Sequence, residues 1–255
     1  MTDMNQIKAI LTGHTRGLGA SIAEQLLARG VHVLGLSRKT HPTLTASVPG
    51  RFEQVALDLG DTAALARWLA SESLSRFAAG ASQILLINNA GTVQPVGPLE
   101  TQSYDAIARA VSLNVTAPLM LSAALMTVTS TTAFAGVDRR IMHISSGAGR
   151  NATAGWSVYC ATKAALDHHA RAVAIDQGLP LRIASVAPGV VDTDMQGEIR
   201  GSGADKFPAL SRFEALKSEG KLVTPAETSE KLLDYLFSAG FGKTVIADVR
   251  ELSTN

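Results

Sequence analysis

The stretch that most restricts the fold is KAILTGHTRGLGASIAEQLLARG, Lys8 to Gly30. Lys8 to Leu11 reads as a short buried strand that stops at Thr12-Gly13. A helix follows, with Leu18, Ile22, Leu26 and Leu27 on one face and Gly30 ending it. A strand, a glycine-rich turn and a helix make a phosphate cradle, because glycines admit a close backbone approach and the helix N-terminus favours an anion. Gly13, Gly17 and Gly19 do not follow the GxGxxG spacing of the dinucleotide fingerprint. By themselves the glycines serve equally for a tight turn without a ligand.

The rest of the chain repeats the alternation. Val31 to Leu36 is a second strand, ending at Ser37-Arg38-Lys39. An acid here would hold the ribose of NAD, whereas an arginine suits a 2′-phosphate. Arg38 stands at that point, and Arg16 in the glycine turn has the reach to assist it. Phe52 to Leu57 reads as a third strand before Asp58-Leu59, and Thr62 to Ala79 as one helix with Asp61 as N-cap. Gln83 to Ile87 is a strand that stops at Asn88-Asn89-Ala90-Gly91, a segment suited to a ligand crevice or to a turn held by its own amides. Ser103 to Leu113 is helical, and beyond Asn114 a long apolar helix is expected through Ala133. Asn114 can bond backbone across that interruption or hold a water.

The chemistry lies in IMHISSGAGRNATAGWSVYCATK, Ile141 to Lys163. A buried strand breaks at Ser145-Ser146-Gly147, and a helix begins near Trp156 and runs to about Gln177. Tyr159 and Lys163, four residues apart, share one helical face. An ammonium beside a phenol favours the phenolate, so the tyrosine pKa is expected below its ordinary ~10 and the group should serve as an acid or base near neutrality. Cys160, one position along, points about 100° away and is read as core packing. The histidines lack metal-ligand spacing: His143 reads as a core or near-site residue, and His14 as a residue of the glycine turn that only lines the ligand held there.

Leu181 to Ala187 is a further strand, followed by PGVVDT, Pro188 to Thr193. Periodicity loosens over residues 194–221, a length typical of a binding segment or lid. Thr224-Pro225-Ala226-Glu227 signals a helix start, that helix runs to about Ser238, and Lys243 to Ala247 is a last strand. Strands alternating with helices imply one α/β domain over residues 1–255, a doubly wound parallel sheet with helices on both faces. With 255 residues there is enough chain for a full core, and a net charge of +1 argues against nucleic acid or a membrane surface as partner. One cysteine fits a reducing cytoplasm, the first ten residues lack a leader-like apolar run, and Ala117 to Val128 is too short and too hydroxyl-rich to span a bilayer.

This ordered set of TGHTRGLG, Asp58, NNAG, Asn114, Ser146, YCATK and PGVVDT resembles the short-chain dehydrogenase/reductase family from Lys8 to Ala247. The resemblance implies a Rossmann-type fold and a catalytic tetrad of Asn114, Ser146, Tyr159 and Lys163. Ser146 is preferred to Ser145 because family members place the serine at that distance before the tyrosine. It also implies a nicotinamide dinucleotide held by Gly13, Thr15, Arg16, Gly17, Leu18 and Gly19, with Asp58 and Leu59 at the adenine. Asn88, Asn89, Ala90 and Gly91 would support its central portion. Lys163 would hold the nicotinamide ribose beside Tyr159, and Pro188, Gly189, Val190, Val191 and Thr193 would border the carboxamide. Ser37, Arg38 and Arg16 resemble the members that prefer NADP(H) to NAD(H), and no metal is implied.

Residues 213–236, FEALKSEGKLVTPAETSEKLLDYL, look like the sepiapterin reductase and benzil reductase branch, which reduces ketones flanked by a second carbonyl. The expectation is an NADPH-dependent carbonyl reductase of small molecules. A 3-oxoacyl-thioester reductase of lipid synthesis and a non-catalytic NADP-sensing regulator are the alternatives. The family's glycine-rich VDGG ending is replaced by Ile246-Ala247-Asp248-Val249-Arg250. A homodimer through the helices near Asn114 and Trp156 is implied, with a tetramer as the alternative.

Overall fold

Strands β1 (Ile7–Thr12), β2 (His32–Ser37), β3 (Phe52–Ala56), β4 (Gln83–Asn88), β5 (Asp138–Ile144), β6 (Arg182–Ala187) and β7 (Ile246–Asp248) form one sheet in a computed structural model. The order is β3-β2-β1-β4-β5-β6-β7, and every neighbouring pair is parallel. Residues 6–44, 50–176 and 178–252 are described, so the extreme N-terminus and Gln177, the expected end of one helix, lie outside them. Strand order reverses between β1 and β4. In open parallel sheets such a switch point leaves a crevice at the carboxyl ends of the strands.

Alternate strand residues enter opposite cores. Leu11, Leu85, Ile87 and Met142 meet α1 (Gly17–Ala28) and α9 (Pro225–Phe237), whereas Ile10, Ile84, Leu86 and Ile141 meet helices on the other face. Those helices are α2 (Thr62–Leu69), α3 (Ser73–Ala78), α5 (Ala117–Val128) and α6 (Ser157–Ala174), with α4 (Tyr104–Val111) leading into α5. Apolar runs in the strands follow from burial on both sides. The sheet is the doubly wound Rossmann-type sheet expected from the alternation.

Two caps act as their residues dictate. Asp61 accepts from the Ala64 N–H, and Thr224 forms a reciprocal capping box with Glu227 around Pro225. Elsewhere the boundaries differ. The single helix expected over Thr62 to Ala79 is two, because the chain breaks at residues 70–72 and restarts at Ser73. The apolar helix ends at Val128 rather than Ala133, where Thr129 turns its hydroxyl back onto the Leu125 carbonyl. Ser112–Thr116 forms a π turn, so residues 104–128 make one continuous helix of 25 residues. By length and apolar composition that helix could cross a membrane, against the shorter reading of Ala117 to Val128. Here Ala117, Leu121 and Leu125 pack against the sheet side of the core. The last strand is only Ile246–Asp248, and the loosely patterned 194–221 segment holds helices α7 (Asp194–Arg200) and α8 (Leu210–Ser218).

His143 is fully buried on β5. Asn88 Nδ2 donates to its Nδ1 at 3.0 Å, which leaves Nε2–H to donate to His169 Nδ1 at 3.1 Å. Burial first, then the charges of His169 and Lys163, push its pKa down to about 3. The unfolded chain binds this proton more readily, so the stability contributed by neutral His143 is complete above about pH 6.5 and is lost as pH falls toward 3. The melting temperature should therefore fall with acidification through that window, and fall less steeply in His143→Gln. An equally steep fall in the variant would assign the acid sensitivity to other groups.

Candidate active site

The turn after β1 is built from close backbone approaches. A Cβ at Gly19 would stand 2.0 Å from the Gly13 carbonyl oxygen, so no other residue fits there. Thr12 Oγ1 accepts from the Asn89 and Ala90 N–H groups at 2.9 Å each, and Asn89 Nδ2 donates back to the Thr12 carbonyl at 3.0 Å. Asn89 thus stitches two strand ends together. Thr12, which the sequence reading passed over, is the hub of this junction.

A cleft of about 1090 Å³ runs across the carboxyl ends of the strands. Typical ligand sites occupy roughly 300–1,000 Å³, so it has room for an extended cofactor and a substrate. Its wall includes Gly13, Thr15, Arg16, Gly17, Leu18, Gly19, Ser37, Arg38, Asp58 and Leu59. Asn89, Ala90, Gly91, Ser146, Tyr159, Lys163, Pro188, Gly189, Val190, Val191 and Thr193 continue it. A glycine cradle at a helix N-terminus, beside an exposed arginine, fits a dinucleotide.

Two expected neighbours are turned elsewhere, and a third is already engaged. His14 is buried outside the cleft wall, donating from Nε2 to Gln54 at 2.8 Å and meeting Phe52 edge-on. The ring packs over Gly35 of β2, where a Cβ would stand 2.5 Å from its Nδ1, and is so taken away from the cleft. Asn88 also faces away, toward His143. Arg16 lies at the cleft, but its guanidinium is engaged by Asp194 at 3.1 Å and Glu198 at 3.7 Å.

Asn114 lies behind the cleft wall in the π turn. Its Oδ1 accepts from Thr92 N–H at 2.9 Å, and its Nδ2 donates to the Thr92 carbonyl at 2.8 Å and Thr162 Oγ1 at 3.1 Å. The amide is therefore committed to protein partners, and bonding backbone is its visible role.

Ser146, Tyr159 and Lys163 meet at the centre. Lys163 Nζ donates to the Ile144 carbonyl at 2.8 Å and stands 5.7 Å from the centre of the Tyr159 ring. Gly149 lets the Ser146 turn press onto this helix: a Cβ there would lie 2.9 Å from the Lys163 carbonyl carbon. Ser145 is spent on Asp167, at 2.7 Å, whereas Ser146 faces the Tyr159 phenol and favours its ionised form.

The tyrosine pKa contradicts the sequence reading. Burial pushes it up to about 12, against the opposing effect of Ser146, with the Cys160 thiol adding to the rise. Burial also lowers Lys163 to about 8, while Asp167 holds it up. A lysine that has lost its proton near pH 8 carries no charge where the phenol ionises. Sequence spacing brings the two groups together but does not register the desolvation that both suffer.

The apolar, aromatic end of the cleft was not legible in the sequence. Trp156 stacks on Phe207 with ring centres 4.7 Å apart and meets Phe213 at 5.3 Å. Trp156 and Phe213 line the cleft, together with Met195 and Ile199. Cys160 packs against this cluster, as its helical position suggests.

The short chain dehydrogenase family model matches residues 8–202. A benzil reductase ((S)-benzoin forming) of Bacillus cereus is 36% identical over 248 residues, covering 95% of this chain and 98% of the relative. A sepiapterin reductase of Meriones unguiculatus is 35% identical over 246 residues, covering 89% and 90%. The crystal structure of a short-chain dehydrogenase/reductase from Burkholderia vietnamiensis is 49% identical, covers 98% of this chain and 100% of that one, and superposes with a TM-score of 0.71. With its parallel sheet, its glycine cradle and its Ser146, Tyr159 and Lys163 assembled at the strand ends, the chain belongs to the short-chain dehydrogenase family and is an oxidoreductase of small carbonyl compounds that uses a nicotinamide cofactor.

Proposed function

We propose that this protein is an NADPH-dependent reductase of ketones flanked by a second carbonyl, with Tyr159 as general acid. The observation that carries the reading is one cleft lined by Ser146 and Tyr159 together with the apolar and aromatic side chains of Trp156, Phe213 and Met195. The names of the benzil and sepiapterin reductases among its relatives support the substrate class. The bound nicotinamide would supply hydride to the carbonyl carbon. Tyr159, protonated throughout the neutral range, donates the proton to the carbonyl oxygen. Ser146 donates a hydrogen bond to the developing oxyanion, an interaction worth on the order of 10²–10³ in rate at such sites.

Lys163 as an ammonium strengthens the phenol as an acid, and it is the residue for the nicotinamide ribose. Because the Asn114 amide is already bonded, a relay water in this reading rests on the backbone of the π turn. Arg38 is the residue for the 2′-phosphate. Residues 194–221 serve as the lid, since Met195, Ile199, Phe213 and Leu216 border the cleft. A homodimer through helices 104–128 and 157–174 is supported by the apolar residues that 104–128 leaves outside, including the 90% exposed Tyr104.

Turnover of an aryl 1,2-diketone, followed as loss of NADPH absorbance, tests the reading against simple ketones, 3-oxoacyl thioesters and no substrate at all. The expected result is diketone reduction whose kcat falls as pH rises through about 8, where Lys163 loses its charge. Preference for a 3-oxoacyl thioester would overturn the substrate class. Absence of turnover would overturn the reductase reading.

A further inference from the structure

The side chain the proposed mechanism leaves unused is Asp167, 4% exposed, on the helix that carries Tyr159 and Lys163. Tyr159, Lys163 and Asp167 follow at steps of four and share one face. Asp167 Oδ1 accepts from Ser145 Oγ at 2.7 Å and from Ser185 Oγ at 2.6 Å. Its other oxygen accepts from Arg150 Nε at 3.1 Å, and Arg150 also donates to the Ala247 carbonyl at 2.8 Å. One buried carboxylate thus joins the end of β5, β6, the turn holding Ser146 and, through Arg150, β7.

We propose that Asp167 is a positioning residue of the active site, acting through Lys163 and Ser145: it clamps the Ser145–Arg150 turn onto the catalytic helix and is the buried counter-charge of the Lys163 ammonium. The charged and titratable groups around the pair are few. Tyr159 and Asp167 share the helix with Lys163, His143 faces it from β5, and Arg150 faces Asp167 from the turn. Asp248 on β7 feels Arg150 but is forked by Arg250 at 2.8 and 2.7 Å. His143 is neutral above about pH 3 and adds no competing positive charge, and Asp167 is the anion that holds the lysine proton. Two hydroxyl hydrogen bonds and one hydrogen-bonded ion pair spent on a carboxylate one turn below the lysine exceed what helix packing alone requires.

This inference rests on the reductase reading for its catalytic meaning, and its test does not need turnover. The experiment is a titration of the Lys163 side chain by NMR in ¹³C-lysine protein, assigned by the signal lost in Lys163→Met. Asp167→Asn and Arg150→Met both cut the link between turn and helix, but they alter charge in opposite senses. In Asp167→Asn the midpoint should drop by about one pH unit, the low end of what a neighbouring opposite charge contributes. In Arg150→Met it should hold or rise, because a competing cation is gone.

A shared shift in one direction, or no shift in Asp167→Asn, would overturn the proposal. If Asp167→Asn does not fold, a fall of the midpoint in Arg150→Met overturns it and an unchanged or raised midpoint supports it. In turnover, kcat of Asp167→Asn should fall about fivefold at pH 8, where a one-unit drop takes the charged fraction from about a half to about a tenth, with the cofactor KM little changed. A wild-type protein that reduces no carbonyl would sink the reductase reading and leave the titration result standing.

Discussion

Tyr159→Phe should lower kcat for carbonyl reduction by roughly 10²–10⁴, the usual contribution of a positioned general acid, with cofactor affinity nearly unchanged. The substitution removes one oxygen and keeps the ring. That ring meets Trp156 edge-on at 5.3 Å and lies 7% exposed within the aromatic cluster, so packing is preserved and the protein should fold. The lost atom is the one Ser146 faces and the proton source for the product alcohol. In the wild type that proton is present at every neutral pH, because burial keeps the phenol near 12. The defect should therefore persist across pH rather than appear on one limb. Ser146→Ala should cost less, on the order of 10²–10³, because it removes one oxyanion donor and leaves the acid. The measurements are kcat by NADPH absorbance and cofactor binding by fluorescence. Wild-type turnover in Tyr159→Phe would end the general-acid assignment, and loss of cofactor binding would move Tyr159 from chemistry to binding.

Ser37→Asp/Arg38→Leu should reverse cofactor preference, lowering kcat/KM with NADPH by about one to two decades while NADH improves. A 2′-phosphate carries roughly −1.5 to −2 charges if it behaves like other phosphate monoesters, and charge-assisted hydrogen bonds contribute about 1.5–3 kcal/mol each. Arg38 is exposed at the end of β2, lines the cleft, and meets no acid among the described residues. Its fork is free to take that phosphate. Arg16 is differently placed, since Asp194 and Glu198 already hold it and a phosphate must compete with both. Most of the discrimination should then rest on Arg38, and Arg16→Leu should cost NADPH less than Arg38→Leu. Asp at position 37 would accept from the ribose hydroxyls of NADH and repel the phosphate. The check is kcat/KM for both cofactors in all four proteins. A wild type that prefers NADH, or a double variant with an unchanged ratio, would remove these residues from cofactor choice.

Features that depend on near neighbours were readable from the sequence by itself. The Asp61 and Thr224 caps need only the next three residues, and the strands are marked by apolar runs bounded by turns. Alternation of those runs with helices determines a parallel sheet, and a parallel sheet with a glycine turn after β1 determines where a crevice opens. Tyr159 and Lys163 are brought to one face by helical spacing alone.

What only the tertiary structure decided depends on groups far apart in the chain. Ser145 and Asp167 are 22 residues apart, and Arg150 and Ala247 are 97 apart, so no local pattern announces the clamp they form. Gln54 and Phe52 draw His14 out of the glycine turn, and Thr92 and Thr162 consume the Asn114 amide. The aromatic wall needs Phe207 and Phe213 carried onto Trp156 by a segment whose periodicity is weak. Tyr159 rises to about 12 and Lys163 falls to about 8 because strands and turns from across the chain exclude water from both. Desolvation sums over every surrounding atom, whereas sequence spacing specifies only which atoms share a helix face.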